Sequence, residues 1–247
     1  MSGYIAPMPT ATSRIVEILE SQPEPNLALK GLLVMRFDPE RGVLSERIVA
    51  AFETIFEALR GSPRWAYGFW PKPAGGTTRV AQPRDVSGAA GQKWVLGSLR
   101  SLRSDSGACL ALQDGPKPWG AGSSAVHWVP ERYGIHLDVS EEWQPGATLL
   151  VAMPLDELHQ ERSLALADAL FDSLQATVGW MSPGLWGAPR SLQHSVVNEL
   201  EPEVLEQLVA VAPQLDLPIV YFGNTEVSPH DFEIGRASCR ERVSVLV

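Results

Sequence analysis

Two stretches of this chain repeat their apolar residues at three- and four-residue steps, and this limits its possible folds more than any other feature. Leu44, Ile48, Phe52, Ile55, Phe56 and Leu59 form one stripe and predict a helix over 44–60. Gly61 follows where a left-handed residue commonly ends a helix, and Pro63 stands two further on. Leu158, Ala165, Leu166, Ala169, Leu170 and Leu174 form a second stripe and predict a helix over 157–175. Each stripe has to be covered by another layer. The apolar runs that can supply it are strand-length: 27–37, 64–70, 108–113, 125–129, 133–139, 147–153 and 177–181. Helices and strands do not alternate regularly, which argues against a parallel sheet of βαβ units. The expectation is an α+β fold, a mostly antiparallel sheet packed on one face by two long helices. A third helix is expected over 92–103, a fourth over 202–212 and a last strand over 218–222. Stretches rich in Gly and Pro at 71–91, 114–124 and 182–190 read as loops.

Residues 1–14 read as a loose arm and 15–232 as a single α+β domain, with 71–91 as the alternative place to divide it. After Phe232 the composition changes abruptly. The string from Glu233 to Val243, EIGRASCRERV, resembles the in-frame translation of a sequencing adapter, so 233–247 is expected to be read-through rather than native sequence. On that reading the domain is C-terminally truncated. Without the tail's three arginines and two glutamates, its net charge moves from -9 to -10.

The remaining composition excludes several classes. With 45% hydrophobic and 20% charged residues, a sizeable core can form. A chain with pI near 5.1 is a poor ligand for a phosphate backbone. No apolar run reaches the roughly 20 residues that span a bilayer, and MSGYIAPMPTATSR lacks the regions of a secretory signal. Two cysteines cannot staple a scaffold of this size. A soluble cytoplasmic protein is expected, with no direct contact to nucleic acid or membrane and no cofactor. The sequence leaves the oligomeric state open.

Few residues offer chemistry. Gly120-Ala-Gly122-Ser-Ser-Ala125 matches a relaxed dinucleotide fingerprint, but no strand precedes it and no helix follows, so it reads as a loop. Neither a Walker loop nor a G-x-S-x-G elbow is present. Cys109 lies in an apolar strand and reads as a small hydrophobe. His136 and Asp138 are two apart in a strand and share a face. With Glu141 and Glu142 they could form a hard-metal or acid/base site, and a solvated sheet edge explains them more simply. Of eight tryptophans, Trp94 and Trp180 are expected in the core, whereas Trp119, Trp143 and Trp186 stand in Gly/Pro loops. Trp143 follows Glu141 and Glu142, and an indole beside two acids suits a cationic partner. Packing of the loops onto the core accounts for the same residues.

The order of features points further. Leu32-Leu33-Val34-Met35 leads to a helix and then to Arg64-Trp65-Ala66-Tyr67. Leu112-Gln113-Asp114-Gly115 closes the next strand and Ala152-Met153-Pro154-Leu155 a later one. A Leu- and Ala-rich helix leads to Val178-Gly179-Trp180-Met181, and Ala212-Pro213-Gln214-Leu215-Asp216 follows. Over about 27–220 this layout resembles the type VI immunity family of bacterial proteins, cytoplasmic antagonists of secreted toxins. The resemblance implies a protein that works by binding, with no catalytic residues, no metal and no cofactor, and a cognate toxin effector as partner. Negative charge would speed encounter with a basic toxin. Glu141, Glu142 and Trp143 are the expected contact residues. The alternative is a small hydrolytic or metal-dependent enzyme using His136, Asp138 and nearby carboxylates.

Overall fold

The computed structural model describes residues 17, 28–59, 63–115, 130–139 and 146–186. Seven strands and three α-helices lie among them. The order is β1 (Ala28–Phe37), α1 (Leu44–Ala58), β2 (Trp65–Pro71), β3 (Thr77–Asp85), α2 (Gly88–Leu99), β4 (Cys109–Gln113), β5 (Gly134–Asp138), β6 (Ala147–Met153), α3 (Glu161–Leu174) and β7 (Val178–Trp186). The strands form one sheet in the order β3-β2-β4-β5-β6-β1-β7, and every neighbouring pair is antiparallel. This is the expected α+β architecture.

The apolar run Leu32-Leu33-Val34-Met35 within β1 has a direct cause. β1 lies between β6 and β7, and both of its faces are covered, so the usual polar alternation is lost. Leu33, Met35 and Phe37 face the helices, where Ile48, Phe52 and Ile55 of α1, Val95 and Leu99 of α2 and Leu166, Leu170 and Leu174 of α3 cover them. Leu32 and Val34 face the opposite side and pack with Leu150, Ala152 and Trp186. α1 and α3 run antiparallel. Arg47 near the start of α1 reaches the last carbonyl of α3, while Ala58 at the end of α1 lies with Arg162 and Ser163 of α3.

Three expectations need correction. The stretch 71–91 is not a loop: β2 turns through Lys72–Gly76 into β3, which pairs back along β2. Gly75 and Gly76 both take positive φ in that turn, where a side chain would be strained. Pro83 is tolerated because β3 is an edge strand and the register shifts between Ala66 and Gly68. The strand expected over 177–181 continues to Trp186, again along an edge and again through a proline, Pro183. Trp186 therefore belongs to the core at 1% exposure rather than to a loop. Gly134 makes room for it, since a Cβ there would stand 2.7 Å from the indole. The strands expected over 125–129 and 218–222, the helix over 202–212 and the termini 1–14 and 233–247 lie outside the described residues.

Candidate functional site

The sheet face turned away from the helices carries a row of polar side chains across its middle strands. Tyr67 of β2, Cys109 and Gln113 of β4 and His136 and Asp138 of β5 share this face by register. The Tyr67 hydroxyl donates to Gln113 Oε1 at 2.9 Å, and Cys109 Sγ stands 3.3 Å from His136 Nε2. His136 and Asp138 do share a face, as the two-residue spacing requires. They do not lie on a solvated edge, however, because β5 is the fourth of seven strands. His136 is 3% exposed and Cys109 is 6% exposed.

Burial governs the chemistry of this row. It pushes the His136 imidazole below its ordinary pKa, against the opposing pull of Asp138. It pushes the Tyr67 phenol up, and the neighbouring Cys109 adds to that. A reactive thiolate needs a cation or a helix N-terminus beside it, and a neutral imidazole supplies neither. Cys109 and His136 thus form a buried side-chain contact within hydrogen-bond distance, one that the small-hydrophobe reading of Cys109 did not include. Among the described residues, no three His, Cys, Asp or Glu side chains converge to hold a metal ion. Glu141, Glu142 and Trp143, the expected contact residues, lie outside the described residues, as does Trp119.

Two further ionic clusters hold the fold. The buried Glu157, in a short 3-10 turn (Leu155–Glu157) before α3, accepts from the Tyr133 hydroxyl at 2.7 Å and from Arg132 at 2.6 Å, and it pairs with Arg162. Burial pushes this carboxyl up, but Tyr133, Arg132 and Arg162 together outweigh it and hold the group below its ordinary value. The buried Arg47 donates to the Leu174 carbonyl through Nε at 3.1 Å and Nη2 at 2.6 Å, and to the carbonyls of Asp38 and Arg41. It also lies 5.4 Å from the centre of the Phe37 ring.

The sequence reading missed the outer surface of α3. Leu164 and Phe171 are 40% and 41% exposed. They lie seven residues apart and off the buried Leu166, Leu170, Leu174 stripe, which was the available signal. An open, mostly polar cleft of about 540 Å³ lies between the start of α1 and the residues after α2, with Glu40, Ser45, Arg100 and Arg103 on its walls. No helix among the described residues is long and apolar enough to cross a membrane.

No protein-family model matches this chain, and no curated protein matches it. A solved structure, Pseudomonas aeruginosa T6SS protein PA0821, aligns with a TM-score of 0.47 at 14% identity, over 69% of this chain and 45% of that one. The chain thus spans under half the length of that protein.

Proposed function

We propose that this chain is an immunity protein of the type VI class, which neutralises a cognate secreted toxin in the cytoplasm by covering its working surface. The reading draws on the resemblance over about 27–220. Three of the segments that carry it fall on strands of the sheet: Leu32-Leu33-Val34-Met35 within β1, Arg64-Trp65-Ala66-Tyr67 at the start of β2, and Leu112-Gln113 at the end of β4. The observation that carries it is the distribution of charge. The chain has a net charge of -9, and one of its bases, Arg47, is spent inside the fold on carbonyls, while Arg162 is matched by the buried Glu157. The surface is therefore richer in acid than the net charge alone suggests, and such a surface attracts a basic partner at long range.

The test is co-expression with the product of the neighbouring reading frame that arrests growth when expressed alone. Growth should be restored, and the two proteins should elute together in size-exclusion chromatography. Arrested growth despite abundant folded protein would sink the reading. A second reading, a small hydrolytic enzyme built on His136 and Asp138, draws on the 3.3 Å contact between Cys109 and His136. Substrate turnover by the purified chain, abolished by His136→Gln, would favour it.

A further inference from the structure

We propose that the outer face of the α1–α3 pair is the docking surface for a basic protein whose lysine or arginine side chains surround an apolar knob. The proposal rests on the immunity reading and specifies which side of the molecule meets the partner.

The two helices sort their charges by sign. α1 carries Glu46, Arg47, Glu53 and Glu57; α3 carries Glu161, Arg162, Asp168 and Asp172. All six acids are exposed, while Arg47 is buried and Arg162 is turned against Glu157. Glu46, Glu53 and Glu57 recur at seven- and four-residue steps, and so do Glu161, Asp168 and Asp172, so each set forms one stripe along its helix. The helices pack side by side on the same face of the sheet, and their stripes point away from it. Leu164 and Phe171 border this acidic ground on the flank of α3. Phe171 stands beside β7, where its ring lies 3.2 Å from the position a Cβ would take at Gly179. They are two of the three large apolar side chains exposed among the described residues.

Folding explains only part of this pattern: Glu46 and Glu161 stand in first turns, where an acid is favoured, but the acids at the other ends are not so placed. Glu57 and Asp172 occupy the last turns of their helices, where the backbone already presents partial negative charge, and neither last turn holds a base. An acid there works against its own helix. An exposed phenylalanine and leucine amid single-sign charge form the anchor-and-rim arrangement of a polar interface. Charge decides the occupant. A second copy of this chain would set acid against acid across a two-fold axis, whereas a basic surface gains at every position.

The probe is the product of the neighbouring reading frame that arrests growth when expressed alone, purified in an inactivated form and titrated against the full chain by calorimetry at two salt concentrations. The variants are Asp168→Lys with Phe171→Ser, and separately Glu53→Lys. Asp105→Lys is the control, an exposed acid in the turn after α2 that receives the same charge change. Wild-type affinity should fall as salt rises. The double variant should weaken binding by at least about tenfold, Glu53→Lys should weaken it in the same direction, and the control should stay within about twofold. Thermal melts of each variant establish that the fold is intact. If the wild type binds and all variants bind equally well, this face is not the dock and the immunity reading stands. Equal weakening by the control overturns the proposal in favour of unspecific attraction. If the wild type binds nothing, the immunity reading fails and the docking surface with it. A concentration-dependent dimer that the double variant abolishes would make a second copy the occupant and overturn the proposal.

Discussion

An imidazole on the middle strand of a seven-stranded sheet has little water to stabilise its charge. This lowers the pKa of His136, with Asp138 only partly compensating. The folded state therefore holds the proton less tightly than the unfolded chain, whose histidine titrates near about 6.5. Above that pH both states are neutral and the group costs nothing. As pH falls through it, the unfolded state gains the proton first and stability is lost until the lower, folded pKa is reached. Wild-type urea midpoints should thus fall between about pH 7 and about pH 5.5, and His136→Gln should flatten that slope. An equal slope in the variant would place the titrating group elsewhere. The shared face of His136 and Asp138 was legible because side chains alternate along any strand. The rank of that strand within the sheet was not, because pairing partners far away in the chain set it. For the same reason Cys109 gave no sign of its contact with a histidine 27 residues on.

Arg47 acts at the scale of elements. It sits within the first turns of an amphipathic helix, yet it points inward and ties the start of α1, the turn at Asp38 and Arg41 and the end of α3 to one guanidinium. The last carbonyls of α3 lack partners within their own helix, and a cation is the favoured group to meet them. Arg47→Met should keep the stem packed against the core but leave those carbonyls bare, at a cost of about 2–4 kcal/mol. Urea denaturation measures the loss, and faster amide exchange at the end of α3 would locate it. An unchanged midpoint would mean that water replaces the guanidinium without penalty. Both long helices were legible in the sequence because their apolar stripes are long and regular. The hairpin arm β3 was not, and neither was the far half of β7. Pro83 and Pro183 counted against strands there, and only the edge position that removes the objection could reverse it. The same error placed Trp186 in a loop. On α3 the expected stripe held at Leu166, Leu170 and Leu174 but not at the exposed Ala165, and Leu164 and Phe171 went unremarked.

At the scale of the molecule, the exposed charges on the described α-helices are sorted by sign. The exposed charges of α1 and α3 are all acidic, while the one charge within α2, Lys93, is basic, and the exposed residues flanking α2 carry both signs, Arg84, Arg100 and Arg103 with Asp85 and Asp105. Such an asymmetry orients an approaching basic partner toward one side, with a reach that shrinks to about 8 Å at physiological salt. If the acids serve association rather than folding, stability and binding should move in opposite directions when they are changed. Glu57→Lys and Asp172→Lys place bases where the helix ends favour them, and each should raise stability by about 0.5 kcal/mol. The same substitutions reverse charge on the proposed dock, so the combined variant should associate more slowly with its partner and lose much of the salt dependence of the on-rate. Denaturation midpoints and stopped-flow association rates, measured on one preparation, separate the two effects. A variant that gained neither stability nor a slower on-rate would show that these acids are solvated residues without a cost, and the argument from their placement would be void.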